Sequence, residues 1–109
     1  MGAREERVAR NETLFREVNE RIKQVNVALA TSEATDFLCE CGDESCTQPI
    51  SLSLREYEAV RAEPTHFAVV PGHVMTDIEH VIAGNERYEV VAKTEPDAVK
   101  VAVAEDPRT

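Results

Sequence analysis

Three cysteines, Cys39, Cys41 and Cys46, fall within eight positions of a 109-residue chain, in the spacing Cys-x-Cys-x4-Cys. Thiols this close can form a disulfide, hold a metal ion or supply a nucleophile. An odd number of them, with no apolar leader ahead, argues against a disulfide framework. A bridge between Cys39 and Cys41 would be strained, because side chains two apart on a strand sit about 6–7 Å from one another. Gly42 favours a metal: a residue without Cβ lets the chain turn sharply, so that Cys39 and Cys41 converge on one ion. Cys46 then returns from the loop Asp43-Glu44-Ser45 with a third thiolate. The competing readings are three unrelated buried or reactive thiols and an iron–sulfur cluster, which ordinarily takes four protein ligands.

Zinc accepts a tetrahedral set of three thiolates and one imidazole, and the chain offers His66, His73 and His80. Pro71-Gly72-His73 sits just past a strand end in a rigid turn able to aim an imidazole, which favours His73. His66 precedes that strand and His80 lies inside another. Asp43, Glu44, solvent or a partner's group are the other options for the fourth position. The expected cofactor is therefore Zn2+, held by Cys39, Cys41, Cys46 and His73. No catalytic residue is assigned. Cys46 with His73 could pair as thiol and base, and Asp77, Glu79 and His80 form an acidic cluster with a histidine. Neither has a distinguishing pattern, and the chain lacks a Gly-rich phosphate loop, a Gly-x-Ser-x-Gly elbow and a His-Glu-x-x-His helix.

The elements that must position these residues follow from periodicity. Residues 1–30 read as one long helix, with Phe15, Val18, Ile22, Val25 and Leu29 at spacings of three and four and Val8 one heptad upstream. Glu6 with Arg10, Glu12 with Arg16 and Glu17 with Arg21 stand four apart in the favourable order. The stripe either packs on the chain's own sheet or forms a heptad seam in which Asn11 sets the register of a helical dimer. A polar stretch, Ala30 to Asp36, ends this segment. The remainder, 31–109, reads as a small zinc-stapled domain.

Within that remainder Phe37-Leu38-Cys39-Glu40-Cys41 has the alternation of a strand, as does Pro49 to Ser53. Ser53-Leu54-Arg55-Glu56 is a capping box, opening a short helix lined by Leu54, Tyr57 and Val60. Phe67 to Val70 predicts a strand, Ile78–Ile82 and Tyr88–Ala92 a hairpin turning at Ala83-Gly84-Asn85-Glu86, and Pro96 a short closing helix. The fold class is thus α+β: a long N-terminal helix, then a small antiparallel sheet with a zinc loop and one short capped helix.

Composition bounds the function. Twelve basic residues against 21 acidic ones give a net charge of −9, which argues against a phosphate-backbone binder. Residues 1–29 carry six basic and five acidic side chains, so the acidity lies in the rest. The stretch Arg10 to Ile22, the run Phe37 to Asp43 with Cys46, Ile50-Ser51-Leu52 before Glu56 to Arg61, and Phe67 with Pro71-Gly72-His73 together resemble a family of short bacterial proteins frequent in actinobacteria. The resemblance runs from about Arg10 to Asp106-Pro107-Arg108. It implies that the three cysteines and His73 form one recurring pattern, and it implies no activity.

The expectation is a small cytoplasmic zinc-binding protein serving as a protein-interaction or regulatory module. It would have a protein partner, or a second copy joined through the N-terminal helix, and neither a membrane nor a nucleic-acid partner. The alternatives are a thiol–zinc redox or metal sensor, whose thiol reactivity nearby Glu40, Asp43 and Glu44 should restrain, and a small metal- or cysteine-dependent enzyme.

Overall fold

The computed structural model describes residues 3–28, 34–43, 45–46 and 48–106. Its elements are α1 (Ala3–Ala28), β1 (Thr35–Leu38), β2 (Pro49–Leu52), α2 (Leu54–Arg61), β3 (His66–Val69), β4 (Glu79–Gly84), β5 (Glu89–Lys93) and α3 (Pro96–Ala104). The expected α+β class is found. The strands, however, form two antiparallel sheets, β1-β2 and β3-β5-β4. The strand read as running to Cys41 stops at Leu38. Leu29 and most of the polar stretch that follows it lie outside the described residues, as does the Pro107-Arg108 end of the resemblance.

Alternation along β3 and β5 sorts two cores. Ala68 and Val90 face Phe37, Ile50, Leu52, Tyr57 and Val60, with the Phe37 and Tyr57 rings stacked at 4.4 Å. Phe67, Val69 and Val91 face the other way and pack with Ala102 and all three cysteines. The sulfurs are therefore part of a core and not ornaments on a loop.

Local signals formed as expected where they depend only on neighbours. Ser53 Oγ accepts from the Glu56 amide at 3.1 Å while Glu56 accepts from the Ser53 amide at 2.9 Å, closing the capping box. Pro96 opens α3, and the Glu95 carboxylate accepts from the Ala98 amide at 2.8 Å. The hairpin turns at Asn85, one step later than its glycine suggests, because β4 continues through Gly84.

Helix α1 departs most from its sequence reading. Its buried residues are Glu12, Thr13, Arg16, Asn19 and Glu20, while Leu14 is 55%, Val18 39% and Val25 58% exposed. The reason is what the helix covers, namely backbone groups and charges that need polar partners. Arg16 lies over the Phe67 ring at 4.3 Å and donates to the carbonyls of Pro64 and Ala102. Arg61 pairs with Glu20 and Asp106. Glu12 turns away from Arg16 to meet Lys93, which also holds Glu79, all three side chains being fully buried. Of the two pairs whose side chains are described, the exposed pair Glu17–Arg21 forms as read, at 3.9 Å. Glu6 is outside the described side chains.

On the far side Arg87 clasps Glu56 through both nitrogens, at 3.0 and 2.6 Å. This holds the Glu56 carboxyl down at about 2. A depressed acid stabilises the fold above its unfolded value of 4.5 and loses that contribution as pH falls toward 2. Arg87→Ala should therefore raise the Glu56 midpoint toward 4.5 and move acid unfolding to higher pH. Carboxyl-carbon NMR titration reads the first effect, and circular dichroism against pH reads the second.

Candidate metal centre

The connection between β1 and β2 is the cysteine loop, and its base is pinned. The Cys39 amide donates to the Gln48 carbonyl at 3.0 Å, one step beyond the ladder. Cys39 therefore faces β2 with its backbone, and Leu38 presents its N–H and C=O to the outer edge of β1. Asn19 of α1 takes both: its Nδ2 donates to the Leu38 carbonyl and its Oδ1 accepts from the Leu38 amide, each at 2.7 Å. One residue on, the Glu40 amide donates to the Ala68 carbonyl of β3 at 2.8 Å.

Extended backbone sends successive side chains to opposite faces, so Cys39 and Cys41 share one side and Glu40 the other. Glu40 is fully buried and accepts from the Ala68 amide and from Asn19 Nδ2, each at 2.9 Å. Burial raises its carboxyl, opposed by those two donors. Glu40 is thus an anchor for the Cys-x-Cys unit, and not a loop charge acting on the thiols. Gly42, at φ +81°, then reverses the chain. A turn brings the Cys46 amide to the Asp43 carbonyl at 2.9 Å, and Asp43 Oδ1 accepts from Ser45 N and Oγ at 2.9 and 2.7 Å.

His73 arrives from β3. Pro71 and Gly72, at φ +89°, form a turn closed by the His73 amide on the Val70 carbonyl at 2.9 Å; Pro and a positive-φ Gly at its centre are the type II signature. The result is a cluster in which one ligand atom from each of Cys39, Cys41, Cys46 and His73 lies within 4.8 Å of all the others. His73 Nδ1 stands 3.6 Å from Cys39 Sγ and 3.8 Å from Cys46 Sγ. With Zn–S of about 2.3 Å and Zn–N of about 2.0–2.1 Å, a tetrahedral site has sulfur–nitrogen edges of about 3.6 Å and sulfur–sulfur edges of about 3.8 Å. Of the two imidazole edges, that to Cys39 already has the sulfur–nitrogen length at 3.6 Å and that to Cys46 is slightly longer at 3.8 Å.

The Val70 amide donates to Cys39 Sγ at 3.1 Å, and the backbone N–H groups of Asp43 and Gln48 act to lower the Cys41 and Cys46 thiols. Three oriented N–H groups suit three thiolates. The cysteines differ in ionisation. Hydrogen bonding from Cys39 holds the Cys41 thiol down at about 5. The same contact followed by burial pushes Cys39 up, and burial pushes Cys46 up. Sulfur neighbours and burial set these shifts, where the sequence had suggested the acidic residues. The Asp43 carboxyl is itself held down by the Ser45 hydrogen bonds.

The other histidines are elsewhere. His66 and His80 both lie opposite Ala92 on β5, one position out of phase with Phe67 and Val91, so they share the face turned from the cysteines. Glu79 faces Lys93 while His80 is exposed, and among the described residues Asp77, Glu79 and His80 do not form a group able to share a metal ion. Glu44 lies outside the described residues. Cys46 and His73 do meet, but His73 is as close to Cys39, which is a ligand-like arrangement and not a dedicated thiol–base pair. A cavity of about 230 Å³ opens beside Cys41 and His73 and is lined also by Asp43, Gly72, Val74 and Met75, leaving the cluster a path to solvent.

Sequence reading passes over Asn19, and it points Asn11 to a seam and Glu40 to the thiols, where the structure uses both as anchors of the loop. The available signal was asparagine in the middle of a helix, where it is a poor former and commonly has a partner elsewhere. Asn11 Nδ2 donates to the Gly42 carbonyl at 3.0 Å, so the proposed seam residue is engaged within its own chain. Among the described residues no helix is long and apolar enough to cross a membrane. No family model, curated protein or solved structure matches this chain.

Proposed function

We propose that this chain is a small zinc-binding protein in which Cys39, Cys41, Cys46 and His73 hold one structural Zn2+, and that the stapled fold serves as a protein-interaction or regulatory module. The observation that carries the reading is the convergence of four ligand atoms within 4.8 Å in a buried core. Three thiolates with one imidazole suit zinc among the biological divalent ions. Four protein ligands leave no open coordination position, which favours a structural over a catalytic ion. The interaction role is supported by Leu14, Val18 and Val25, an exposed apolar strip on α1.

Elemental analysis of Cys46→Ser and His73→Ala, purified without chelator, tests the ligand set. Cys46→Ser should lose the metal. His73→Ala should retain it more weakly, releasing it to a competing chromophoric chelator. Full metal content with unchanged affinity in both would remove the reading.

A further inference from the structure

The cysteine loop does not stand alone; α1 forms its back wall. A Cβ on Gly42 would lie 2.7 Å from Val8 Cγ1, 2.8 Å from Glu12 Cγ and 2.8 Å from the Val8 carbonyl oxygen. The absence of that atom is what lets helix and loop touch. At the same spot Asn11 Nδ2 donates to the Gly42 carbonyl at 3.0 Å. That carbonyl belongs to the peptide unit whose N–H, from Asp43, faces the Cys41 sulfur. In a planar trans peptide the C=O and N–H point opposite ways. Holding the oxygen against α1 therefore aims the amide at Cys41. Two turns further along the helix, Asn19 holds both backbone groups of Leu38 and the carboxylate of Glu40, the residues on either side of Cys39.

We propose that Asn11 is a positioning residue for the metal centre, and that docking of α1 and binding of the metal at the cysteine loop are reciprocally coupled. The proposal rests on the zinc reading above and deepens it by naming what the ion controls. The coupling has a physical basis in the rest of the α1 interface, where Val8 and Ile22 add apolar packing but Glu12–Lys93, Arg16 on carbonyls and Glu20–Arg61 are the buried charged contacts. Such ionic and polar contacts lock one register while contributing little net free energy beyond their desolvation cost. An interface of that kind is readily biased by one additional fixed point, and the metal loop is that point. Linkage requires the effect to run both ways: a docked helix tightens metal binding, and bound metal holds the helix down. Metal occupancy would thereby control how firmly α1, with its exposed Leu14, Val18 and Val25, is held on the body.

The test uses the full chain and zinc itself. Asn11→Asp keeps the size of the side chain and removes its donor. Zinc affinity by chelator competition should fall about tenfold, the lower range for losing an outer-shell partner of a metal site, with one zinc per chain still bound. The cobalt(II)-substituted variant should show shifted thiolate charge-transfer bands, which a general loss of stability would not produce. In the unmodified chain, removing zinc should speed hydrogen exchange of α1 amides at residues 12–20. If zinc binds normally but Asn11→Asp keeps the original affinity, or if α1 exchange is indifferent to zinc, the coupling is refuted while the metal reading stands. If the unmodified chain takes up no zinc, both fall together.

Discussion

Stripping the metal with a strong chelator should abolish cooperative thermal unfolding or lower its midpoint by at least ~20 °C. Structural zinc contributes on the order of 10 kcal/mol in small zinc-binding peptides, against a total stability of about 5–15 kcal/mol for an ordinary domain. The effect is large here because of where the sulfurs sit. Cys39, Cys41 and Cys46 are packed in one core with Phe67, Val69, Val91 and Ala102. Losing the ion would leave three buried, unevenly ionised thiols and a half-buried imidazole where a neutralised cluster stood. Damage should spread from the β1–β2 loop through Glu40 into β3. Circular dichroism melts with and without chelator, and with zinc restored, measure it. Superimposable melts would mean that the cluster does not staple the fold.

Lys93→Ala carries the second large effect. The ammonium lies between Glu12 and Glu79 with no solvent contact. It also faces the Phe67 ring at 4.9 Å. Burial pushes the Glu12 carboxyl well above its ordinary range; Lys93 pulls the other way and Glu79 adds to the rise. Removing the lysine leaves two carboxyl groups facing each other in a dry site. Breaking a buried pair from one side costs about 3–5 kcal/mol, or more than about 10 °C in melting temperature for a chain of this size. Replacing the whole triad, as Lys93→Met with Glu12→Gln and Glu79→Gln, should recover most of that loss, since no charge is then left unpaired. Equal melting temperatures for Lys93→Ala and the unmodified protein would show that the triad contributes nothing.

What could be read in advance was what neighbours in sequence decide. Ser53 and Glu56 cap α2 through groups three residues apart, so the box is complete within four letters. Cys39, Cys41 and Cys46 announce a shared site by spacing, and Pro71-Gly72 signals the turn that delivers His73. The 3.6-residue period of α1 marks a helix, but it does not say what the helix meets. Its stripe was read as an apolar face for a sheet or a seam. Ile22 and Val8 of that stripe do pack on the body, but elsewhere along α1 the body presents the Leu38 edge, the carbonyls of Pro64 and Ala102, and the charges of Lys93 and Arg61. Polar residues turned inward to satisfy these groups, and Leu14, Val18 and Val25 were left in solvent. The Glu12–Arg16 pair was lost for the same reason: Glu12 meets a buried ammonium 81 positions away, while Arg16, itself buried, is taken by the carbonyls of Pro64 and Ala102. Asn11, Asn19 and Glu40 matter only once β1, β3 and α1 are side by side, and no local pattern carries that information.

The central claim is a metal ion at Cys39, Cys41, Cys46 and His73, and the most direct test is the metal content of the unmodified protein purified without chelator. Elemental analysis should find one zinc per chain. Protein that is folded and fully reduced, yet carries no zinc and takes none up when it is supplied, would contradict the account.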